Sequence, residues 1–328
     1  MDKFNALRVH QVEKKTEARL EQVRLDDLSA GEVVIKSAYS SVNYKDALAV
    51  SGKGRIMRRF PCVAGIDVSG TVAESSDGRF KKGDEVLVTG CNIGEEFDGG
   101  YAEYVRAKAD SVVPLPAGLS LQEAMALGTA GFTAGLALRR MLENHQTPQM
   151  GPIAVTGPTG GVGSIAIQIF SQLGYEVAAL TRKAESSDYL KALGANEVIV
   201  TAQLDPGSKP MEKARWGGAI DNVGGDLLTY LTRTIKPWGN IASIGLAASP
   251  ELKTTVIPFI LRGASLLGIH SVECPMPWRR AIWDKLAGEW KPRKLDQIVS
   301  RTISLKDLPA VSEEVVAGKI QGRTLVRF

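Results

Sequence analysis

The first third of the chain alternates short apolar runs with turns rich in glycine, proline and aspartate. β-type runs lie at residues 32–36, 70–72 and 84–88, and Gly83 directly precedes the last of them. Short runs that are bounded by turn residues are typical of strands. The pattern as far as Val113 therefore predicts a mainly β domain.

The pattern changes after Pro114 and Pro116, where alanine and leucine become frequent. A helix is predicted to begin at Ser120, because Glu123 stands three residues later and the pair is typical of a capping box. Strand and helix patterns then alternate, with strands expected at 153–156, 175–180, 197–200, 219–223, 239–244 and 265–269 and helices at 164–173 and 186–193. Regular alternation of this kind predicts an α/β fold with a doubly wound parallel sheet.

The alternation ends near Val272, and the chain finishes in a β-type segment, residues 323–327, which we expect to rejoin the first domain. We therefore predict a discontinuous, mainly β domain made of residues 1–120 and 272–328. Residues 121–271 are predicted to form the doubly wound domain. A length of 328 residues agrees with two domains, because a single hydrophobic core rarely grows this large.

Charge and cysteine content narrow the possible partners and location. The 40 Lys and Arg residues against 36 Asp and Glu give a net charge of +4, which is too small to favour nucleic acid. Cys62, Cys91 and Cys274 cannot all pair with one another, which favours a reducing compartment. The beginning of the chain is polar, and no apolar run approaches membrane-spanning length. We therefore expect a cytoplasmic protein with no membrane partner.

A glycine-rich segment between a predicted strand and a predicted helix carries the strongest chemical signal. Gly157, Gly160 and Gly163 have the spacing of a dinucleotide-binding turn, in which backbone amides and a helix N-terminus bind pyrophosphate. The residues expected to bind the cofactor are Thr159, Gly160, Gly161, Val162 and Gly163. A plain structural turn is the alternative.

The end of the next predicted strand bears on the choice of cofactor. Enzymes specific for NAD usually carry an acidic residue there, which binds the ribose hydroxyls. This chain has Thr181, Arg182 and Lys183 instead, and a guanidinium can bind a 2′-phosphate that a carboxylate would repel. The sequence therefore predicts NADPH, with a solvated basic turn as the alternative.

Five further segments, at residues 41–48, 61–67, 127–134, 258–262 and 320–324, resemble one enzyme family. It is the zinc-independent quinone-oxidoreductase branch of the medium-chain dehydrogenase/reductase superfamily, and within it the acryloyl-CoA reductases. The resemblance implies a GroES-like catalytic domain, a Rossmann domain that binds NADPH, and a homodimer formed through the strand at residues 264–269.

The metal-binding pattern of the zinc-dependent relatives is missing. Those enzymes carry a cysteine near Asn43, a Gly-His-Glu where this chain has Gly65-Ile66-Asp67, and another cysteine near Thr129. Neither Ile66 nor Thr129 is a plausible zinc ligand. The resemblance therefore implies a reaction without zinc, for which the substrate itself must stabilise negative charge.

The reaction implied by the resemblance is reduction of the C=C bond of an α,β-unsaturated thioester such as acryloyl-CoA. Hydride reaches the β-carbon, and the resulting enolate takes a proton at the α-carbon. A quinone or enone oxidoreductase is one alternative, and a non-catalytic NADPH-binding protein is another.

The resemblance also implies catalytic residues. It assigns Tyr44, Asn43 and Asp67 to the site, with Tyr44 near nicotinamide and substrate. The phenol either donates or orients a proton, or only packs against nicotinamide while water supplies the proton. Asp67 either orients its neighbours or caps a turn.

Further assignments concern the two ligands. Leu246, Ile260 and Ser271 are expected on the nicotinamide side, although the first two have the character of core residues and Ser271 of a strand cap. Arg58, Arg59 and Arg323 are the candidates for contacts with CoA phosphates. Solvated surface cations are the alternative.

Overall fold

The computed structural model describes residues 3–13 and 15–328. Its strands are β1 (Phe4–Val12), β2 (Lys15–Val23), β3 (Val33–Val42), β4 (Cys62–Val63), β5 (Asp67–Ser75), β6 (Glu85–Thr89), β7 (Tyr104–Ala107), β8 (Val113–Pro114), β9 (Ile153–Thr156), β10 (Val177–Thr181), β11 (Glu197–Val200), β12 (Trp216–Asp221), β13 (Ile235–Ser243), β14 (Ser265–Gly268), β15 (Val299–Ile303) and β16 (Arg323–Arg327). Its helices are α1 (Tyr44–Ser51), α2 (Leu121–Glu143), α3 (Gly161–Gln172), α4 (Ser187–Leu193), α5 (Gly225–Thr234), α6 (Ile257–Leu261), α7 (Met276–Ala287), α8 (Leu295–Ile298) and α9 (Leu308–Val316).

The chain forms two compact units whose limits differ from the predicted ones. The first unit runs to Phe132 and also contains Ser271–Gly288 and Ile298–Phe328, and the second contains Thr133–His270 and Glu289–Gln297. The first extends beyond residue 120 because the start of α2 packs within it, where the Phe132 ring stacks on Trp283 at a centroid distance of 6.3 Å.

The short segment at residues 289–297 joins the second unit through side-chain hydrogen bonds from α3. Gln168 Nε2 donates to the carbonyl oxygen of Lys294 at 2.9 Å, and Gln172 Nε2 donates to that of Lys291 at 3.0 Å. The bonded residues lie more than 100 positions apart along the chain. Hydrophobic periodicity, which reports on local structure, does not predict such contacts.

The first unit is built on two sheets whose strands pair antiparallel, except that β15 and β16 pair parallel. The larger has the strand order β15-β16-β3-β5-β6-β8, with β7 also paired to β3, and the smaller has the order β2-β1-β4. Strand β16 pairs antiparallel with β3 through Thr324 and Val42, so the prediction that the tail rejoins the first unit is confirmed. Apolar side chains of β3, β5 and β6 form a buried core, with Ile35, Val68 and Val88 each fully buried.

The second unit is a six-stranded sheet with the order β11-β10-β9-β12-β13-β14, in which each neighbouring pair is parallel. Every residue of β9 and β10 is buried, as expected for central strands that helices cover on both faces. This topology confirms the doubly wound α/β prediction. The order reverses between β9 and β12, and ligands of such sheets bind at the carboxyl ends of the strands beside this point.

Helix α2 begins and breaks at residues that its sequence explains. The predicted capping box is present, since Glu123 accepts from the Ser120 amide at 2.9 Å and the Glu123 amide donates to Ser120 Oγ at 3.2 Å. At Gly128 the backbone leaves the helical region, with φ 52° and ψ −155°. In the described part of the chain, no helix combines the length and apolar character needed to cross a membrane.

Candidate functional site

The segment at residues 157–163, here named the phosphate turn, connects β9 to α3 in the second unit. Gly157 takes a left-handed conformation with φ 57°, which favours glycine. A Cβ on Gly163 would lie 2.4 Å from the carbonyl oxygen of Gly157 and 2.7 Å from Cα of Pro158. The close approach of helix to turn therefore depends on the absence of a side chain at position 163.

Helix α3 starts at Gly161, three residues earlier than predicted, and this places its N-terminus inside the phosphate turn. The first amide groups of a helix lack intrahelical acceptors and carry the positive end of the helix dipole. Thr159, Gly160, Gly161 and Val162 are partly or fully exposed there. Their backbone can therefore bind a pyrophosphate.

Buried hydrogen bonds stabilise the strand ends that lead into the phosphate turn. Thr156 Oγ1 donates to Asp221 Oδ1 at 2.8 Å, and Asn222 Nδ2 donates to the carbonyl oxygen of Thr156 at 2.7 Å. The amide of Gly224 donates to Asp221 Oδ2 at 2.9 Å. Burial raises the pKa of Asp221. These bonds join the ends of β9 and β12 where the strand order reverses, and the sequence did not predict them.

A cavity of about 360 Å³ lies at the carboxyl edge of the same sheet. Its lining residues follow strands β10 to β13 and are Arg182, Thr201, Gly224, Gly225, Asp226, Leu227, Thr229, Ala248, Ser249, Glu251 and Lys253. Arg182 is exposed, whereas Thr181 is buried and its Oγ1 accepts from the amide of Lys183 at 3.0 Å. The predicted basic residue therefore lines a cavity large enough for part of a nucleotide.

The first unit contains a buried polar group, named here the Asp67 cluster, formed by Ser41, Asn43, Asp46, Asp67, Thr129 and Arg323. Asp67 is fully buried and accepts from Ser41 Oγ at 2.6 Å and from Asn43 Nδ2 at 2.8 Å. It also accepts from the Thr129 amide at 2.9 Å and from Thr129 Oγ1 at 2.6 Å. The resemblance singled out Asn43, Asp67 and Thr129, and the structure brings the first and the last of them into hydrogen-bond contact with the Asp67 carboxylate.

The break in α2 makes this cluster possible. A Cβ on Gly128 would lie 2.6 Å from Asp67 Oδ2, 2.7 Å from Arg323 Nη2 and 2.8 Å from Ser41 Oγ. Because the backbone leaves the helical region at Gly128, the amide of Thr129 points to Asp67. A glycine within a helical pattern was the signal that could have predicted this break.

Arg323 corrects an expectation. Its side chain is only 2% exposed, so it cannot be the surface cation that we predicted for CoA phosphates. Nη1 donates to Asn43 Oδ1 at 3.0 Å, and Nη2 lies 3.9 Å from Asp67 Oδ2. A buried carboxylate is costly unless it is paired, and the guanidinium provides the partner.

The pKa values of two buried groups near Asp67, Asp46 and Tyr101, are raised. Burial, and then the charge of Asp67, raise the pKa of Asp46 to about 7. Asp46 accepts from the amides of Asn43 and Ile66, each at 2.9 Å. Burial and the two carboxylates raise the pKa of Tyr101 well above its usual range, so its hydroxyl stays protonated and donates to the carbonyl oxygen of Ser41 at 3.2 Å.

Tyr44 and the predicted nicotinamide-side residues are accessible. Tyr44 is the first residue of α1 and is 42% exposed, directly after Asn43. Leu246 is 64% exposed and Ile260 is 70% exposed, which excludes the core alternative for both. Ser271 is half-buried, and its carbonyl oxygen accepts from Arg279 at 2.8 Å. The nicotinamide roles themselves stay predictions.

The other two CoA candidates have acidic partners. The guanidinium of Arg59 binds the buried carboxylate of Asp98, which also accepts from the Val63 amide at 2.7 Å. Arg58 lies 3.8 Å from Glu96 and its side chain is 60% exposed. Of the two arginines, Arg58 is therefore the more accessible to an anionic ligand.

The metal chemistry of the site can be judged from its side chains. Among residues 3–13 and 15–328, no group of three or more His, Cys, Asp or Glu side chains has the arrangement of a metal site. The oxygens of Asp67 already accept hydrogen bonds from three residues. The donor set around Asp67 therefore does not fit a zinc ion, which prefers nitrogen and sulfur ligands.

Comparison with known proteins agrees with this architecture. The family model "Alcohol dehydrogenase GroES-like domain" matches residues 29–117, and the model "Zinc-binding dehydrogenase" matches residues 161–287. Acrylyl-CoA reductase AcuI of Ruegeria pomeroyi is 44% identical, with 98% of each chain covered. YhfP of Bacillus subtilis, a protein named as a quinone oxidoreductase, is also 44% identical, with 99% of each chain covered.

Solved structures show the same relationship. The yhdH oxidoreductase of Salmonella enterica in complex with NADP is 43% identical, with a TM-score of 0.95 and 99% of each chain covered. YhfP of Bacillus subtilis with NAD bound has a TM-score of 0.97 over the full length of both chains. Identity of this extent, together with the two matching models, shows that the chain belongs to the medium-chain dehydrogenase/reductase superfamily.

Proposed function

We propose that this protein reduces the C=C bond of an α,β-unsaturated thioester with NADPH, and that acryloyl-CoA is converted to propanoyl-CoA. The observation that carries the proposal is the Asp67 cluster, in which a fully hydrogen-bonded carboxylate holds Asn43 next to the exposed Tyr44. The full-length relative named as an acrylyl-CoA reductase supports the choice of substrate.

The residues of the second unit fit a dinucleotide with a 2′-phosphate. The amides of the phosphate turn would hold the pyrophosphate, and Arg182 would hold the 2′-phosphate at the cavity that it lines. Thr181 and Lys183 flank this position, and Leu246, Ile260 and Ser271 are proposed on the nicotinamide side. When bound, NADPH supplies a hydride from nicotinamide C4 to the β-carbon of the substrate.

We propose that the reaction proceeds without zinc. The carbonyl of a conjugated thioester delocalises the charge that develops as hydride arrives, so no Lewis acid is needed to stabilise an alkoxide. The lone pairs of Asp67 are used by Ser41, Asn43 and Thr129. In this proposal Asp67 positions neighbouring groups and takes no part in proton transfer.

Tyr44 is the side chain that we propose beside the reacting atoms. Its phenol can donate a hydrogen bond to the substrate or a proton to the α-carbon, or its ring can pack against nicotinamide. Arg58 is proposed to meet the phosphates of CoA, because its side chain is 60% exposed and its contact with Glu96 is long. A weak surface ion pair of this kind is easily exchanged for a phosphate contact.

A quinone or enone oxidoreductase is the second candidate. The relative YhfP, named as a quinone oxidoreductase, is as similar to this chain as the acrylyl-CoA reductase, each at 44% identity. The two candidates share the fold and the hydride donor, so kinetic measurements with each substrate class are needed to separate them.

The test is an anaerobic assay that follows NADPH absorbance with acryloyl-CoA, crotonyl-CoA and a benzoquinone. We expect the highest kcat/KM with acryloyl-CoA and a product that is heavier by two hydrogens. Turnover with the quinone alone would reject the thioester proposal, and NADPH binding without oxidation would favour a non-catalytic protein.

Two variants test the proposed residues in the same assay. Arg58→Glu should raise KM for the thioester only. Unchanged turnover of Tyr44→Phe would reject a role of the phenol as proton donor.

We further propose a cytoplasmic homodimer that forms through β14. This strand is the edge of the six-stranded sheet, and within residues 3–13 and 15–328 it pairs with β13 alone. Leu266, Leu261 and Trp238 are 37%, 67% and 74% exposed. An unpaired edge with apolar neighbours is suited to pairing with a second copy. Light scattering at the mass of a single chain would exclude the dimer.

A further inference from the structure

Arg323 is a buried arginine that joins separate segments of the first unit. Its Nε donates to the carbonyl oxygen of Ala126 at 3.1 Å. Its Nη1 donates to the carbonyl oxygen of Val42 at 3.3 Å and to Asn43 Oδ1 at 3.0 Å. Nη2 lies 3.9 Å from Asp67 Oδ2. A planar guanidinium can serve these acceptors together, whereas an ammonium group cannot reach them in one geometry.

The amide of Asn43 is bound on both sides. Oδ1 accepts from Arg323, while Nδ2 donates to Asp67 at 2.8 Å and to Asp46 at 3.0 Å. Turning the amide over would place its NH2 group against the guanidinium and its oxygen against the carboxylates. The cation and the carboxylates therefore select one orientation of this side chain.

The position of Tyr44 depends on Asn43. Asn43 is the N-cap of α1, with φ −112° and ψ 161°, and Tyr44 is the first residue of that helix. Because Tyr44 is 42% exposed, packing holds much less of its surface than it does for the buried members of the Asp67 cluster. The hydrogen bonds of Asn43, the residue before Tyr44, therefore contribute much to the position of the first turn of α1.

We propose that Arg323 is a positioning residue for the reductase reaction, which orients the amide of Asn43 and thereby sets the place of Tyr44 beside cofactor and substrate. The inference rests on the proposed function, in which Tyr44 meets those molecules. Arg323 itself touches neither of them, since its side chain is 2% exposed and its donors face groups of the protein. Arg323 thus has two roles in this proposal: it pairs with Asp67, and it holds Asn43 in the orientation that places Tyr44.

The variant that separates these two roles is Arg323→Lys, which keeps the positive charge and loses the planar fork. A displacement of reacting groups by about 1 Å costs on the order of 100-fold in rate, so we expect kcat to fall by about 100-fold. The Kd for NADPH should change less than about threefold, because the phosphate turn is built by other residues. Arg301→Lys is the matched control, since Arg301 lies on the adjacent strand and pairs with Glu314.

The second measurement is a double-mutant cycle with Asn43→Ser, in which serine still caps α1 but lacks the amide. If Arg323 acts through Asn43, adding Arg323→Lys to Asn43→Ser should lower kcat by less than about threefold, because the two losses are not independent. The proposal would be overturned if the fold-loss in kcat of the double variant equalled the product of the fold-losses of the two single variants. It would also be overturned if the kcat of Arg323→Lys lay within twofold of wild type.

Two further outcomes are decisive. If Arg323→Lys does not fold, Asn43→Ser alone should lose about 100-fold in kcat, and wild-type turnover of that variant would overturn the proposal. All ratios are measured with acryloyl-CoA and with a benzoquinone. Turnover with the quinone alone would therefore reject the proposed substrate while leaving the test of Arg323 intact, and no turnover with either would reject both.

Discussion

The phosphate turn of the second unit and the Asp67 cluster of the first are built in opposite ways. The turn is one uninterrupted segment, and its chemistry lies in backbone amides. The cluster is assembled from side chains of distant segments, among them Asp67, Thr129 and Arg323. A backbone site needs space and tolerates many side-chain changes outside that space, whereas a side-chain site changes when any one member is replaced. The predictions below test this difference.

The largest effect is expected in the Asp67 cluster and depends on pH. Burial and Asp67 raise the pKa of Asp46 to about 7, whereas an aspartate in an unfolded chain titrates near ~4. Between these values the folded protein keeps a proton that the unfolded chain has lost. The stabilisation is therefore fully present below about pH 4 and is lost as the pH rises to about 7, by up to ~1.4 kcal/mol per pH unit.

Urea unfolding of the wild type and of Asp46→Asn between pH 4 and 8 measures this effect. The variant cannot ionise at position 46, so its free energy of unfolding should depend less steeply on pH over that range. Asp26→Asn, at an exposed aspartate, should keep the slope of the wild type. Parallel curves for the wild type and Asp46→Asn would show that Asp46 does not hold the proton.

A smaller effect is expected in the phosphate turn, where a steric clash should weaken the binding of NADPH. The Cβ of Gly163→Ala would lie 2.4 Å from the carbonyl oxygen of Gly157, so the turn or the helix must move. Overpacking costs about 1–3 kcal/mol, which corresponds to a rise of roughly 5- to 150-fold in the Kd for NADPH.

The control is Gly78→Ala, at an exposed position outside the phosphate turn where an added Cβ would have no atom within 4 Å. Its Kd, measured by isothermal titration calorimetry, should stay within about threefold of wild type, since surface substitutions usually have small effects. Equal losses in the two alanine variants would contradict a turn that is limited by space.

The same contrast explains what the sequence could predict. The phosphate turn was predictable because glycine spacing, a preceding strand and a following helix all lie within one short segment. Alternation of strands and helices likewise predicted the doubly wound sheet, and the β-type pattern of residues 323–327 predicted their return to the first unit. Helix α3 begins three residues earlier than predicted, since Gly161 and Gly163 weaken the helical pattern although the fold places them in the helix.

The Asp67 cluster could be predicted only in part. The resemblance pointed to Asn43, Asp67 and Thr129, and the spacing of Asn43 and Asp46 is similar to a capping box. Nothing in the sequence connects Arg323 to Asp67, because they lie on β16 and β5 and come together only where both of these strands pair with β3. A lone arginine near the end of a chain is usually solvated, and the prediction of a CoA contact for Arg323 was wrong for that reason.

The central claim is that the second unit recognises the 2′-phosphate of NADPH through Arg182, although a relative with 44% identity has been solved with NAD. The most direct measurement is the Kd of NADPH and of NADH for the wild type and for Arg182→Asp. A hydrogen bond to a charged group contributes about 1.5–3 kcal/mol, so the wild type should prefer NADPH by at least about tenfold. The variant should lose that preference. Equal affinities in the wild type, or an unchanged Kd for NADPH in Arg182→Asp, would contradict the claim.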